Sequence, residues 1–331
     1  MMKLIAGVLA STVATAALPA MAQDLDPITF QLKWVNQGQF AGYLVAKDKG
    51  FYEEEGLDVT INPGGPDIAP EQVIAGGGAD VITTWMAAGL AARERGVPLV
   101  NIAQPFANQA LQLVCSEESG VESTDDFKGK KLGVWFFGNE YPFYAWMAKL
   151  DLPTEGGEEG VEVLRQAFNV DPLLQNQADC ISTMQYNEFK QLLDAGVPED
   201  SLKVFNYADE GVGMLEDGLY VMEDRLDDPE FVDQMVRFVR ASMRGWEYAG
   251  ENIEEAAGIV LENDLSGALT EESQLWQVEV AAGLVGDSAA LDPAAYEQTV
   301  QTLLSAVSPD NPAITTEPEG AFSTVVTDQL Q

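Results

Sequence analysis

The chain has 331 residues, of which 54 are acidic and 17 are basic, and its formal net charge is -37. This excess of negative charge argues against nucleic acid and anionic membrane surfaces as partners. There is no histidine, which excludes a Ser-His-Asp triad and a histidine-based zinc site. We therefore expect no metal, no cofactor and no enzymatic activity.

The first residues predict a secretory signal. Lys3 provides a positive start, residues 4–18 are apolar or small, and Ala20-Met21-Ala22 is a small-residue cleavage pattern. The apolar run is too short for a comfortable spanning helix. We expect cleavage after Ala22, and because neither cysteine lies near this point, we expect no lipid anchor.

The first predicted unit is a strand, a helix and a second strand. Residues 28–35 alternate apolar and polar side chains, residues 40–47 have helical spacing, and residues 57–61 form the next strand. The junction after the first strand carries aromatic and amide side chains, namely Trp34, Asn36, Gln37, Gln39 and Phe40. Ligands of open α/β sheets bind at such strand ends. The alternative is that the rings belong to the core and the amides cap a loop.

The alternation of strands and helices continues, which predicts a mainly parallel sheet covered by helices. The predicted elements are a helix at 68–75, a strand at 79–85, a helix at 86–95 and a strand at 99–106. Another strand, at 110–115, follows with no room for a helix between them. We therefore predict that the chain crosses here into a second sheet.

A second α/β unit follows this crossing. Its predicted strands are 131–136, 161–168, 178–186 and 202–206, and its helices are 141–150, 171–177 and 187–195. A return strand at 219–222 precedes a purely helical part with helices at 228–246, 254–263, 271–284 and 293–307. The sequence therefore predicts an α/β protein with two sheets and a helical C-terminal part.

Flat rings and neutral hydrogen-bonding groups recur where the predicted strands end, which is typical of a small-molecule site. Besides the first junction, they are Thr84, Trp85, Asn108, Asn139, Tyr141, Tyr186 and Asn187. Lys33 is the only basic residue among these junctions, and the strand alternation points it away from Trp34. We therefore expect a neutral or weakly cationic aromatic ligand whose nitrogens donate to Glu140 or Glu188. Alternatively, both glutamates only cap their helices.

Cys115 and Cys180 are the only cysteines. An even pair in an exported chain favours a disulfide, and two buried free thiols are the alternative.

Three stretches carry a resemblance to a known family. They are QLKWVNQGQFAGYLVAKDKGFYEEEGLDV, EQVIAGGGADVITTW and LGVWFFGNEYPFYAWM. They resemble the periplasmic substrate-binding proteins of ABC importers for thiamine pyrimidine precursors, riboflavin and sulfonates. The resemblance implies a type II periplasmic binding fold, in which two α/β lobes are joined by two hinge strands and the C-terminal helices pack on lobe 1.

The same resemblance implies how the chain is divided into lobes and in which compartment the protein functions. Residues 1–22 are the signal peptide, residues 23–110 and 209–331 form lobe 1, and residues 111–208 form lobe 2. A monomeric periplasmic protein would deliver a small molecule to an ABC permease.

The resemblance also implies which residues contact the ligand. On lobe 1 they are Trp34, Gln37, Gln39, Phe40, Thr84 and Trp85. On lobe 2 they are Gly138, Asn139, Glu140, Tyr141, Tyr186, Asn187 and Glu188. Glu216 and Asp217 either face the cleft or form a surface turn.

The implied ligand is a heteroaromatic molecule such as a thiamine pyrimidine precursor or a flavin. A receptor for sulfonate- or nitrate-type anions is the alternative. A sister branch resembles pyrimidine synthases, which use a histidine of their own chain, and the lack of histidine argues against that activity.

Overall fold

The computed structural model describes residues 25–136, 138–305 and 313–330, so the predicted signal segment lies outside the described residues. The first part of the chain forms β1 (Asp26–Gln31), α1 (Ala41–Asp48), α2 (Phe51–Glu54), β2 (Leu57–Asn62), α3 (Pro70–Ala75), β3 (Val81–Thr84), α4 (Met86–Glu94) and β4 (Leu99–Ala103). The middle part forms β5 (Leu111–Ser116), β6 (Lys131–Val134), α5 (Tyr141–Lys149), β7 (Glu162–Arg165), α6 (Asp171–Leu174), β8 (Cys180–Met184), α7 (Glu188–Asp194) and β9 (Leu202–Asn206). The last part forms β10 (Gly218–Met222), α8 (Pro229–Glu251), α9 (Ile253–Glu262), α10 (Glu271–Leu284) and α11 (Pro293–Ser305).

These strands build two five-stranded sheets, ordered β2-β1-β3-β10-β4 and β7-β6-β8-β5-β9. Half of the neighbouring pairs are parallel, whereas β10 is antiparallel to β3 and β4, and β5 is antiparallel to β8 and β9. Each antiparallel strand is the one that the chain enters after crossing from the other sheet. We call the first sheet with its helices lobe 1 and the second sheet with α5–α7 lobe 2.

Helix α8 anchors the C-terminal part on lobe 1. Its predicted apolar face is buried, and the ring of Phe238 lies 5.2 Å from that of Phe30 in β1. α8 approaches α1 closely, since a Cβ added at Gly245 would lie 2.0 Å from the carbonyl oxygen of Gly42. A larger residue at this crossing would push the two helices apart.

The later helices do not pack on lobe 1 alone. In α10 the indole of Trp276 donates to the carbonyl oxygen of Gln185 in lobe 2, with a distance of 3.1 Å. Helix α11 packs against both α4 and α5. The C-terminal helices therefore also bridge the lobes, which the sequence did not predict. Among the described residues, no helix has the length and apolar character needed to cross a bilayer.

The two cysteines lie opposite each other in the middle of lobe 2. Cys115 of β5 and Cys180 of β8 are direct partners in the antiparallel register and are joined by a disulfide. The bond links the strand that enters lobe 2 to the central strand of its sheet.

Candidate functional site

A pocket lies between the lobes, at the ends of the strands that the sequence had singled out. It holds about 430 Å³ of free space, part of it open to solvent. We call it the aromatic pocket, because its walls include the rings of Trp34, Trp85, Trp135, Phe168 and Tyr186.

The rings come from both lobes and meet across the cleft. Trp34 of lobe 1 lies 4.6 Å from Phe168 of lobe 2, measured between ring centroids, with their planes tilted by 58°. Trp135, also in lobe 2, lies 5.9 Å from Phe168. The walls of the pocket therefore present aromatic rings of both lobes to a ligand.

The lobe 1 wall contains a chain of buried amides that ends on a carboxylate. The side-chain nitrogen of Gln37 donates to Gln39 at 2.9 Å, and Gln39 donates to Asp217 at 2.6 Å. All three residues are buried, and burial raises the pKa of Asp217. Asp217 also has a φ of +32°, a sparsely populated conformation for a residue other than glycine. The surrounding contacts hold Asp217 in this strained conformation, in which its carboxylate accepts the hydrogen bond from Gln39.

Glu216 links the lobe 1 wall by hydrogen bonds to the segment that crosses into lobe 2. Its carboxylate accepts hydrogen bonds from the backbone N–H groups of Ala110, at 3.0 Å, and Leu111, also at 3.0 Å. Burial raises the pKa of Glu216 to about 8. Glu216 and Asp217 therefore do not form a surface turn, which was one of the two alternatives. They lie just before β10, and the hydrogen bonds of Glu216 connect the segment that returns to lobe 1 with the segment that enters lobe 2.

The lobe 2 wall carries a buried acid at the start of α7. Glu188 accepts hydrogen bonds from the backbone N–H of Met184 at 3.0 Å and from the amide of Asn187 at 2.9 Å. Burial raises its pKa to about 7, although these bonds act in the opposite direction. Asn187 is itself held by Gln277 of α10, which donates to its Oδ1 at 3.0 Å. Glu188 can therefore accept a hydrogen bond from a ligand at a position that both lobes define.

Lys33 is the main correction to the site predicted from sequence. Its ammonium lines the aromatic pocket, lies 4.5 Å from the centroid of the Trp85 ring and donates to Asn139 at 2.9 Å. The predicted alternation failed because β1 ends at Gln31. The loop after β2 passes so close that a Cβ at Gly64 would lie 2.4 Å from the carbonyl oxygen of Leu32. Beyond that point the chain bends, and both Lys33 and Trp34 face the cleft.

The other predicted residues fall into three groups. Those that line the aromatic pocket are Trp34, Gln37, Gln39, Trp85, Asn139, Tyr186, Asn187 and Glu188. A neighbouring groove between the lobes contains Gly138, Glu140 and Tyr141 instead. The structure does not bring Phe40, Thr84 or Asn108 to the pocket.

Each of the three excluded residues has a physical reason to lie elsewhere. Phe40 is fully buried in the core of lobe 1. Thr84 is also fully buried, and its hydroxyl donates to Glu71. Asn108 is exposed, and its backbone N–H is bonded to the carbonyl oxygen of Leu284.

The residues in the neighbouring groove form contacts between the lobes. Tyr141 accepts a hydrogen bond from the guanidinium of Arg95 at 3.1 Å, and Glu140 accepts one from the backbone N–H of Gly138 at 2.8 Å. Burial raises the pKa of Glu140, while backbone hydrogen bonds and the charges of Arg165 and Arg95 oppose this effect. Glu140 therefore lies in the neighbouring groove, where it accepts a hydrogen bond from Gly138, and does not line the aromatic pocket.

Besides Lys33, three residues that line the pocket were absent from the predicted site, namely Trp135, Phe168 and Met184. Trp135 lies directly after β6, so it carried the same strand-end signal as the predicted residues. Phe168 had been predicted inside a strand, but β7 ends at Arg165. Among the described residues, no group of three or more acidic or cysteine side chains could hold a metal ion.

Comparison with known proteins places the chain among proteins that bind small molecules. Residues 37–256 match the family model described as NMT1/THI5 like. The chain is 26% identical over 286 residues to the riboflavin-binding protein RibY of Chloroflexus aurantiacus, covering 81% of this chain and 78% of that protein. It is 23% identical over 312 residues to the formylaminopyrimidine-binding protein of Halalkalibacterium halodurans, covering 92% of this chain and 91% of that protein.

A solved structure confirms the predicted type II periplasmic binding fold. The periplasmic sulfonate-binding protein SsuA from Methylobacillus flagellatus matches with a TM-score of 0.65 at 14% identity, covering 93% of this chain and 94% of that one. At this identity the likeness concerns the fold alone.

Proposed function

The chain belongs to the NMT1/THI5-like family, and from this premise we propose that it is the solute-binding component of an ABC importer. Its ligand is a heteroaromatic small molecule, such as a thiamine pyrimidine precursor or a flavin. The observation that carries the proposal is the aromatic pocket, in which rings from both lobes surround a space of about 430 Å³.

The pocket suits a flat ring that has hydrogen-bond donors at its edge. Trp34 and Tyr186 offer faces on opposite lobes, and rings in such contacts gain roughly 0.5–1.5 kcal/mol beyond their buried area. Glu188 accepts hydrogen bonds from an amino group or a protonated ring nitrogen at the inner end.

The ligand is bound without being transformed. A synthase-like reaction would need the histidine that its mechanism draws on, and this chain contains none. The buried acids in and behind the pocket hold neighbouring backbone and amide groups. We therefore assign affinity to enclosure between the lobes and not to chemistry.

The remaining parts of the proposal concern location and partners. The N-terminal sequence supports export to the periplasm with cleavage after Ala22 and no lipid anchor. We propose that the protein, with α10 and α11 in contact with both lobes, docks as a monomer on the permease.

The experiment is a calorimetric titration of the exported, purified protein. Formylaminopyrimidine and riboflavin represent the heteroaromatic class, and taurine and nitrate represent the anions that Lys33 could also attract. We expect saturable binding of one of the first two and none of the anions. Binding of taurine or nitrate alone would replace the proposal with an anion receptor, and a change in the mass of the bound pyrimidine would indicate an enzyme.

A further inference from the structure

Lys33 occupies a special place in the cleft. It lines the aromatic pocket and also a second space, which we call the outer groove. The outer groove holds about 840 Å³ of free space, part of it open to solvent, and its lobe 1 side is formed by residues 65–71. The two spaces share Lys33, Trp34, Asn139 and Phe168. Lys33 therefore lies where the two spaces meet, which we call the mouth of the aromatic pocket, and from there a substituent on a bound ring can extend into the outer groove.

The ammonium of Lys33 has hydrogen-bonding capacity to spare. An ammonium carries three N–H donors. Among the described residues, the only hydrogen-bond acceptor for Lys33 is the side-chain oxygen of Asn139, at 2.9 Å. The ring of Trp85, whose centroid is 4.5 Å away, attracts the ammonium through a cation–π interaction. At least one N–H thus remains for an acceptor on a ligand.

The surroundings of Lys33 decide which kind of oxygen suits it. Burial lowers the pKa of Lys33, and the carboxylates of Glu71 and Asp217 oppose this effect most strongly. These negative charges offset the positive charge of the ammonium. Glu71 lines the outer groove, so a sulfonate or phosphate there would be repelled by its carboxylate, whereas a carbonyl or hydroxyl oxygen carries no formal charge for it to repel.

The inner end of the pocket has the opposite character. Glu188, Tyr186 and Met184 line the aromatic pocket but not the outer groove. The acceptor Glu188 therefore lies away from the mouth, and the donor Lys33 lies at it. A ring with an amino group on one edge and an oxygen-bearing substituent on another satisfies both.

We propose that Lys33 determines specificity by donating a hydrogen bond to a neutral oxygen on the substituent that leads from the bound ring into the outer groove. This inference rests on the proposed function, because it takes a ring in the aromatic pocket as given.

The test compares two ligands on the full mature protein by calorimetry. One is formylaminopyrimidine, and the other is the same pyrimidine with a methyl group in place of the formylaminomethyl substituent. Lys33→Met removes the donors and keeps an unbranched apolar side chain. Lys128→Met makes the same change of charge at an exposed residue of lobe 2 that pairs with Glu159, and it serves as the control.

We expect Lys33→Met to weaken binding of formylaminopyrimidine by about 10- to 100-fold, the range for a hydrogen bond to a charged group. Binding of the methyl analogue should change by less than about threefold, and Lys128→Met should change neither. Lys33→Arg, which retains donors, should restore part of the preference for the formyl compound.

Equal losses for both ligands would overturn the inference, because Lys33 would then act only through its contact with Asn139 between the lobes. The unmodified protein provides a second measurement that does not depend on the folding of any variant. It should prefer the formyl compound to the methyl analogue by at least about tenfold, and equal affinities would also overturn the inference. If neither pyrimidine nor riboflavin binds the unmodified protein, the proposed function itself fails.

Discussion

Replacing Trp34 by alanine should weaken ligand binding while leaving the protein folded. Trp34 lies in the bend after β1 and is only half-buried. Its ring faces Phe168 of lobe 2 at 4.6 Å, so the substitution removes one wall of the aromatic pocket. No strand of lobe 1 contains Trp34, since β1 ends before it, and its ring packs only against the edge of the core.

The expected magnitude follows from the contact that is lost. Stacking of a nucleobase-like ring on an aromatic side chain contributes roughly 1–3 kcal/mol by alanine substitution. The affinity for formylaminopyrimidine should therefore fall by about 5- to 150-fold. The free energy of unfolding should fall by about 2 kcal/mol, of which about 1 kcal/mol is the aromatic pair of Trp34 and Phe168 and about 1 kcal/mol is the half-buried apolar surface of Trp34.

The assay combines calorimetry with urea unfolding of the same preparation. Phe51→Ala is the matched control, because Phe51 is a half-buried ring on α2 that packs against Tyr248, away from the pocket. Trp85→Ala is less suitable, since Trp85 is 5% exposed and belongs to the core cluster. If Trp34→Ala binds the pyrimidine with unchanged affinity, the aromatic pocket is not the ligand site.

Three further predictions concern pH, the disulfide and the contact made by α10. Burial raises the pKa of Glu188 from 4.5 to about 7, so the folded protein binds this proton more tightly than the unfolded chain does. Glu188 should therefore contribute a fall of about 3 kcal/mol in the stability of the unliganded protein between pH 4.5 and 7, to which Glu216, whose pKa is also raised, adds; a urea-unfolding series should show a shallower slope for Glu188→Gln than for the unmodified protein. Replacing both Cys115 and Cys180 by alanine should cost about 4 kcal/mol for a sequence separation of 65; an unchanged urea midpoint would contradict this. Gln277→Ala removes the donor to Asn187 from lobe 1's side of the cleft and should weaken pyrimidine binding by about 2- to 10-fold, whereas the exposed Gln301→Ala should have no effect in calorimetry.

Much of the fold could be predicted because its signals are local. Strand alternation and helical spacing identified both sheets, and the absence of a helix between residues 106 and 110 located the first crossing. The apolar face of α8 was likewise visible from the spacing of Phe231, Met235 and Phe238, which the structure buries. These features depend on neighbours within a few residues, where the geometry of strand and helix is periodic.

The candidate site was predicted in part. Trp34 and Glu188 line the pocket because they lie where strands end, and strand ends of both lobes meet at the cleft. Phe40 and Thr84 have the same local signal but turn into the core. A position near a strand end therefore narrows the set of candidate site residues. It does not determine whether each side chain points into the cleft or into the core.

By itself the sequence determined the order of the elements, the excess of acidic residues, the absence of histidine and the supply of rings at strand ends. Only the tertiary structure decided that Lys33 faces the pocket, because that depends on β1 ending at Gln31 and on Asn139, 106 residues further along, lying within hydrogen-bonding distance. It also decided the raised pKa of Glu188 and the burial of Glu216 and Asp217. Desolvation and contacts between distant segments set these properties, and no local period in the chain encodes them.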